Sequence, residues 1–407
     1  MRCVLVTGMG GAGTTTVAAA TAVLAAQRGH RTLLLSVDPA ARLSGVLDHP
    51  VGPEETELEP GLSGRQVDLR RAVADRWPAV RAVLAHTWPT VDVDPVELEE
   101  LAFLPGAIET LTLLELRDSL TAGNHDVVIV DGGPLAGMLR LLAFPETLSW
   151  YCRRLLPPDG AFARWLRPGF GRAALGGALG GRWSSFAAPA YDTVSRVHRA
   201  AIDLRAILTD QAATSVRLVL TPQSGALQAA QGSLTALALH GFTLDSVVVN
   251  RILSPAGADA WRAGWAATHR EALAELTSAF APTPVLPVAY RAGEPVGLEE
   301  LAAFGAAAYG ELDPAGVLGA GLVDGGDQPR VERTDEGFAL SFGLPFVDGS
   351  QIDLARLGDD LVVTVGAFRR AVPLPAALRR CDVSAARLRG DRLVVSFVPD
   401  PDRWVRA

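Results

Sequence analysis

The chain has 407 residues, of which 49% are hydrophobic and 20% are charged, a composition typical of a folded protein rather than a disordered one. Its net charge of −8 argues against nucleic acid or an anionic membrane surface as the main partner. The length is sufficient for two domains, and all 37 basic residues are arginines, so no site in this chain can use a lysine.

The chain opens with an apolar run, a glycine-rich loop and an alanine-rich segment. Residues 2–7 (RCVLVT) end at glycines and predict a buried parallel strand. Residues 15–28 favour a helix that Gly29 ends, and residues 31–36 (RTLLLS) predict a second strand. Strand, loop, helix and strand in this order predict a βαβ unit.

The alternation of strands and helices continues over the first three quarters of the chain. It predicts an α/β fold with a doubly wound, mostly parallel sheet that has helices on both faces. The further strands are predicted at 126–131, 216–221, 245–250 and 283–288, and the helices at 224–241, 257–280 and 297–309.

Two long, mostly helical insertions are predicted, at about 66–122 and 146–213. The second contains a glycine-rich and aromatic stretch at 160–189. This stretch fits either a flexible loop or an adaptable apolar surface for a hydrophobic client.

The composition changes near the end of the α/β region. Residues 312–330 are rich in Gly, Asp and Pro, which is typical of a linker. Residues 331–401 contain short alternating strands and few helix signals. They predict a separate all-β domain, a small sandwich.

The loop after the first strand predicts a phosphate-binding site. In such a loop, consecutive backbone N–H groups point into a concavity at a helix N-terminus, where the helix dipole adds partial positive charge. Glycines permit the unusual backbone angles and the close approach of the phosphate. The candidate nucleotide-binding residues here are Gly8, Gly10, Gly11, Ala12, Gly13, Thr14, Thr15 and Thr16.

The usual form of this loop is G-x-x-x-x-G-K-[ST]. It places a lysine where Thr14 stands and a magnesium-binding hydroxyl where Thr15 stands. Thr15 fits the pattern and is the candidate hydroxyl ligand of magnesium, whereas Thr14 does not fit.

Three further strand ends carry polar residues that suit a nucleotide site. Asp38 follows the second strand and is the candidate catalytic residue, which would orient an attacking water. Asp131 ends the strand VVIVD and is the candidate magnesium carboxylate. Asn250 ends the strand VVVN, and its amide is a candidate for reading an adenine edge. Taken alone, either aspartate also fits a turn or capping role.

Over about residues 1–311 the chain resembles the ArsA-type ATPases. This family includes the arsenite-pump ATPase and the ATPases that deliver tail-anchored membrane proteins. The resemblance implies a P-loop NTPase fold, hydrolysis of Mg-ATP and a homodimer. It rests on the stretches GMGGAGTTT, LLLSVDPAARLSGVL, PGAIE, DVVIVDGGPLAGMLRLLAFPETL and VVVNRIL, in this order.

The second predicted domain resembles an α-crystallin (small heat-shock) domain. The resemblance is clearest in GDDLVVTV, FRRAVPLPAAL and LRGDRLVVSF. ArsA-like proteins with such a C-terminal domain form a recognised subgroup, so the two resemblances support each other.

The chain departs from the family pattern at both lysines of the loop. The family reads G-K-G-G-x-G-K-T-[ST], and Met9 and Thr14 occupy the two lysine positions here. Charge-assisted hydrogen bonds to phosphate contribute about 1.5–3 kcal/mol each, so the loss of two would lower nucleotide affinity by several orders of magnitude. The candidates for a substitute cation are Arg42, Arg140 and Arg251, although each also fits a surface or structural role.

No other cofactor is expected. Cys3, Cys152 and Cys381 are widely separated and lack zinc or redox spacing, so we expect neither a zinc ion nor an iron–sulfur cluster. The uncharged segment from Cys3 to Gln27 is too polar for a bilayer core, so we expect no membrane span and a cytoplasmic protein.

The leading hypothesis is a degenerate ArsA-like protein, a homodimeric scaffold with weak or no ATP hydrolysis. Its expected partners are a second copy of the chain and hydrophobic client proteins or membrane-protein segments, without nucleic acid. Two alternatives stay open: an active Mg-ATPase that uses arginine or magnesium in place of the lysines, and a structural assembly protein that binds no nucleotide. A partition ATPase of the MinD type fits the DPA and LRLL stretches less well.

Overall fold

The computed structural model describes residues 1–75, 106–155, 195–257, 259–319, 321 and 329–401. Within these residues, an eight-stranded sheet has the order β3-β4-β2-β5-β1-β6-β7-β8. Neighbouring strands are parallel except for β3 and β4. The strands are β1 (Arg2–Gly8), β2 (Thr32–Ser36), β3 (Thr56–Glu59), β4 (Leu62–Gln66), β5 (Val127–Pro134), β6 (Thr214–Leu220), β7 (Leu244–Ile252) and β8 (Val285–Ala289).

Helices cover both faces of this sheet. Successive residues of β1 point to opposite sides, so Leu5 belongs to one core cluster and Val4 and Val6 to the other. The predicted doubly wound α/β fold is therefore confirmed. The described helices of this part are α1 (Thr14–Gln27), α2 (Leu43–Leu47), α3 (Ala107–Thr121), α4 (Leu135–Leu155), α5 (195–209), α6 (Ala226–Leu239), α7 (Ala260–Phe280) and α8 (Leu298–Tyr309).

Helix α1 is buried along most of its length because α8 covers its outer side. Its alanine-rich sequence suits this position, since small side chains let neighbouring backbones approach closely. The contact depends on Gly305 of α8, where a Cβ atom would lie 2.9 Å from the carbonyl oxygen of Ala20. The middle of α1 is thereby packed closely against α8.

The structure differs from the sequence prediction at one edge of the sheet and at the end of β5. The antiparallel pair β3 and β4 was not predicted, because TELEPGLSGRQ is polar and lacks a β-branched apolar run. Strand β5 was predicted to end at Asp131 but continues to Pro134. The predicted apolar stretch 160–189 lies outside the described residues.

The C-terminal part folds into two antiparallel sheets, with the orders β14-β15-β10-β9 and β11-β12-β13. Phe342, Val363, Val395 and Phe397 lie in the core between them. The predicted small all-β sandwich is therefore confirmed. Its strands are β9 (Arg330–Thr334), β10 (Gly337–Gly343), β11 (Ile352–Leu357), β12 (Asp360–Val365), β13 (Phe368–Pro373), β14 (Cys381–Arg389) and β15 (Arg392–Pro399), with a short helix α9 (Ala376–Arg379).

A buried ion cluster joins the all-β part to the α/β part. Arg370 of β13 contacts Glu146 of α4, with Nε and Nη2 at 3.0 and 2.8 Å from Oε1. Arg205 of α5 contacts the same carboxylate, and Nδ1 of His240 lies 2.7 Å from Oε2. Arg370 also donates to the carbonyl oxygen of Leu239. We call Glu146, Arg205, His240 and Arg370 the interdomain clamp.

Apolar and backbone contacts surround the clamp. The side chain of Leu239 is buried in the core of the all-β part. The hydroxyl of Thr235 donates to the carbonyl oxygen of Pro345 at 2.7 Å, and the rings of Phe280 and Phe346 meet edge to face at 6.2 Å. The two parts therefore share a packed interface.

No helix in the described ranges combines the length and the apolar character needed to cross a bilayer.

Candidate functional site

The glycine-rich loop lies where β1 ends and α1 begins. Its backbone is fixed by hydrogen bonds from the Met9 N–H to the carbonyl oxygen of Val219 (3.1 Å) and from the Ala12 N–H to that of Met9 (3.0 Å). Gly13 precedes α1 in the left-handed region (φ 93°), and no side chain caps the helix. The N–H groups of the first turn therefore remain available to an anion.

Two kinds of glycine occur in the loop. At Gly8 and Gly13 the site is crowded, because a Cβ atom would lie 2.3 Å from the carbonyl oxygen of Val219 and 2.6 Å from Nδ2 of Asn250, respectively. At Gly10 and Gly11, by contrast, a Cβ atom would meet no heavy atom within 4 Å. The loop thus has a closely packed base and an open concave side, as a phosphate site requires.

The two positions where the family has lysines hold apolar or buried side chains. Met9 is partly buried and packs against the core clusters on both faces of the sheet. Thr14 is buried, and its hydroxyl oxygen is 2.9 Å from the place where a Cβ of Gly8 would stand. Neither position brings a cation to the loop.

The candidate magnesium ligands lie side by side. Asp131 is fully buried on β5, Oγ of Ser36 donates to its Oδ2 at 3.0 Å, and the hydroxyl of Thr15 also bonds to the carboxyl group. Burial and, to a smaller extent, the nearby carboxylate of Asp38 raise the pKa of Asp131 to about 6, against the lowering effect of its hydrogen bonds.

Asp38 lies beside the glycines that follow Asp131. Its Oδ1 accepts from the Ala40 N–H at 3.0 Å, and its carbonyl oxygen accepts from Nε2 of Gln66 at 3.1 Å. At Gly133, which is left-handed (φ 62°), a Cβ atom would lie 2.8 Å from Cγ of Asp38. The segment after β2 and the segment at the end of β5 are therefore in direct contact.

Asn250 binds the loop itself. Its Nδ2 donates to the carbonyl oxygen of Ala12 at 2.9 Å, and its Oδ1 accepts from the Arg251 N–H at 2.9 Å. One N–H of the amide remains for a ligand. The adenine contact predicted for Asn250 stays a prediction.

A cavity of about 980 Å³ opens beside the loop. Gly13 and Thr16 form one wall, and Asn250 lies on another. The volume is at the upper end of the range for small-molecule sites. Among the described residues, the charged side chains that line it are those of Arg42, Arg251, Arg262, Arg291 and Glu294.

Two of the three arginines considered as substitutes for lysine line this cavity, namely Arg42 and Arg251. The third, Arg140, pairs with Glu109, with Nε 2.9 Å from Oε1, and is not among the lining residues. The structure therefore brings Thr15, Asp38, Asp131 and Asn250 around the loop and leaves Arg140 outside.

The residues around the loop meet some, but not all, of the requirements of a site for a magnesium nucleotide. Thr15 and Asp131 offer adjacent oxygen ligands, and the open backbone of the loop offers N–H donors for phosphate. A cation within the loop is lacking. In the ranges that the structure describes, no group of three or more His, Cys, Asp or Glu side chains is placed to hold a metal ion. Magnesium at Thr15 and Asp131 would therefore depend on phosphate and water for its other ligands.

The family model of the anion-transporting ATPases, the ArsA ATPases, matches residues 1–310. The chain belongs to the ArsA ATPase family. A second model, the HSP20-like domain found in ArsA proteins, matches residues 335–397. The two matches confirm the resemblances inferred from the motifs of the α/β part and from the strand pattern of the all-β part.

Several relatives extend over the whole chain. "Uncharacterized protein SCO2128" of Streptomyces coelicolor is 37% identical, and the match covers 100% of both chains. "Protein Rv2184c" of Mycobacterium tuberculosis is 31% identical, covering 99% of this chain and 97% of the relative. A "Putative arsenical pump-driving ATPase" of Chlorobaculum tepidum is 30% identical, covering 98% and 96%. The similarity to these relatives therefore extends over both parts of this ArsA-family chain.

Sequence reasoning missed three residues of the site: Ser36, Gln66 and Gly133. Ser36 pairs in register with Asp131 across β2 and β5, and Gln66 ends β4, the neighbour of the edge strand β3. The available signal was a polar residue at the carboxyl end of a buried strand, which Ser36 is. For Gln66 there was no signal, because its strand was not predicted.

Proposed function

We propose that this ArsA-family protein is a homodimeric scaffold that has lost most or all ATP hydrolysis and binds hydrophobic segments of client proteins. The observation that carries the proposal is the loop without a cation, in which Met9 packs into the core and Thr14 is buried. Phosphoryl transfer needs positively charged groups next to the phosphate oxygens, and it needs them more in the transition state than in the ground state. A loop that lacks both lysines is therefore expected to lose turnover before it loses all binding.

The client-binding role is supported by the HSP20-like domain and by exposed aromatic surface. Trp261 and Trp265 at the start of α7 are 70% and 45% exposed, with ring centroids 6.4 Å apart. Large apolar side chains that are clustered and exposed are typical of interaction sites. Homodimerisation is carried over from the family resemblance.

The first test is phosphate release by the full chain at saturating Mg-ATP, together with Thr14→Lys. We expect no turnover by the natural protein above background. Thr14→Lys should bind Mg-ATP about tenfold or more tightly, because it restores one charge-assisted contact to phosphate. Thr14→Gln, which has similar length and no charge, is the matched control. Turnover by the natural protein of about 1 s⁻¹ or faster, in the ordinary range of enzymes, would contradict the proposal.

The client role is tested separately, with an aggregating model client followed by light scattering. The chain should suppress aggregation in the presence and absence of Mg-ATP. Trp261→Ser with Trp265→Ser should weaken that effect. Equal aggregation with and without the chain would exclude the scaffold function.

A second function, an active Mg-ATPase, is favoured by one observation: Arg42 and Arg251 line the cavity next to the loop. If arginine replaces lysine in catalysis, phosphate release is measurable and Asp38→Asn abolishes it, because Asp38 is the candidate residue for orienting water.

A further inference from the structure

The cavity beside the loop carries an excess of positive charge. Four arginines and one glutamate line it within the described residues, namely Arg42, Arg251, Arg262, Arg291 and Glu294. The carboxylates at the inner edge of the site, Asp38 and Asp131, are buried and are not among its lining residues. An anion entering this cavity therefore meets guanidinium groups before it meets the aspartates.

The four arginine side chains differ in whether they already pair with another group of the protein. Arg291 pairs with Glu300, with Nη2 2.8 Å from Oε2, and Nη2 of Arg262 donates to the carbonyl oxygen of Ala256 at 2.7 Å. The guanidinium groups of Arg42 and Arg251 are exposed and make no ion pair or hydrogen bond within the described part of the chain. These two are available to a ligand.

The backbone is left-handed at Arg251 and next to Arg42, which is itself right-handed. Arg251 itself is left-handed (φ 65°), and Ala41, directly before Arg42, is left-handed too (φ 49°). This conformation is unfavourable for residues with a Cβ, and such strain concentrates at ligand sites. Arg251 is held by its N–H bond to Asn250 and by the Tyr290 N–H, which donates to the carbonyl oxygen of Ile252 at 2.8 Å.

We infer that Arg42 and Arg251 together supply the positive charge that the glycine-rich loop lacks, so that the cavity binds the polyphosphate group of a nucleotide without any lysine. The two side chains line the cavity together with Gly13 and Thr16, and they come from different elements, one from the segment after β2 and the other from β7. A guanidinium forms bidentate hydrogen bonds with phosphate oxygens and stays charged at every physiological pH. The inference goes beyond the proposed function, which does not require a ligand in this cavity.

The test is equilibrium binding of Mg-ATP, and of inorganic triphosphate with magnesium, by titration calorimetry on the full chain. Arg42→Gln removes one charge. Arg251→Asn removes the other while keeping a residue that tolerates the left-handed backbone. Each should weaken binding of both probes about tenfold or more, and the double variant should weaken it further. Arg251→Lys, which keeps the charge, should stay much closer to the natural protein.

The matched control is Arg387→Gln, an exposed arginine on β14 of the all-β part. It lowers the net charge equally and should leave both affinities within about twofold. Thermal unfolding without ligand shows whether each variant is folded. An added readout is the ligand-induced rise in melting temperature, which should shrink with Arg42→Gln and Arg251→Asn but not with Arg387→Gln.

The outcomes separate this inference from the proposed function. Undiminished affinity in folded Arg42→Gln and Arg251→Asn would overturn the inference, and so would a natural protein that binds neither probe. Both results leave the proposed loss of hydrolysis standing. Rapid phosphate release by a protein whose binding depends on the two arginines would contradict the proposed function and support the inference.

Discussion

Asp131 combines burial with a second carboxylate nearby, and this makes it a source of pH-dependent stability. Its pKa is raised to about 6, first by burial and also by the charge of Asp38, from the ordinary value of 3.8. A raised pKa means that the folded state holds this proton more tightly than the unfolded chain does. The stabilising effect is therefore complete below pH 3.8 and is lost as the pH rises through about 6.

We predict that Asp131→Asn removes this pH dependence. The difference in unfolding free energy between the variant and the natural protein should change by about 2–3 kcal/mol between pH 4 and pH 7, in favour of the variant at pH 7. Urea unfolding at several pH values measures it. Thr16→Ser, a neighbouring change without a titrating group, is the control. If the unfolding free energies of Asp131→Asn and of the natural protein changed with pH in parallel, the raised pKa of Asp131 would be refuted.

At this scale the sequence predicted which candidate site residues lie close together and missed the residues that hold them in place. Thr15, Asp38, Asp131 and Asn250 follow strands or begin a helix, and that position alone brings them to one edge of the sheet. Their hydrogen-bond partners depend on register instead: Ser36 meets Asp131 because β2 and β5 pair in one particular alignment. A single sequence carries no direct record of that alignment.

At the scale of elements, a buried ion pair joins the neighbouring strands β6 and β7, away from the strand ends that carry the glycine-rich loop. Arg217 and Asp245 are completely buried, with Nη2 3.0 Å from Oδ2, and Arg2 reaches the same carboxylate at 3.2 Å. Arg217 also donates to the hydroxyl of Tyr309 and to the carbonyl oxygen of Pro314. The start of the predicted linker is thus held against the sheet.

We predict that Arg217→Met lowers the unfolding free energy by roughly 3–5 kcal/mol, because it leaves a buried carboxylate with less compensation. Asp245→Asn should cost a similar amount, and the double variant should cost clearly less than the sum of the two. A double-mutant cycle by chemical denaturation measures this. Strict additivity of the two changes would show that the pair is not coupled.

The elements themselves were predictable where hydrophobic periodicity was strong. The buried strands and the helices α1, α6, α7 and α8 appear within a few residues of their predicted bounds. The hairpin of β3 and β4 was missed because an edge strand needs only one apolar face, and its charged residues concealed the alternation.

At the scale of the whole molecule, the interdomain clamp places a charged cluster between the two parts. Burial raises the pKa of Glu146, but Arg370, His240 and Arg205 outweigh it and lower the pKa to about 2. A lowered pKa contributes stability that is present above pH 4.5 and is lost as the pH falls through about 2. Glu146 therefore stays ionised over the whole neutral range, whereas burial lowers the pKa of His240.

We predict a single unfolding transition for the natural protein and two separated transitions for Arg370→Met. The variant leaves Glu146 at the interface without its partner from β13, so the all-β part should unfold at a lower temperature than the sheet. Scanning calorimetry with hydrogen exchange assigns each transition to its part. Arg369→Met, which changes the exposed neighbour on the same strand, should keep one transition. A single transition in Arg370→Met would show that apolar packing alone couples the parts.

Helix α4 has two ends with different surroundings. It begins directly after the strand that carries Asp131, and it presents Glu146 to Arg370 about 16 Å further along its axis. A shift of α4 on filling of the cavity would alter the surroundings of the all-β part. Linkage then requires reciprocity: whatever binds the all-β part and favours one position of α4 must change affinity at the cavity by the same factor. Binding of a client and binding of a nucleotide would then each change the affinity for the other through α4.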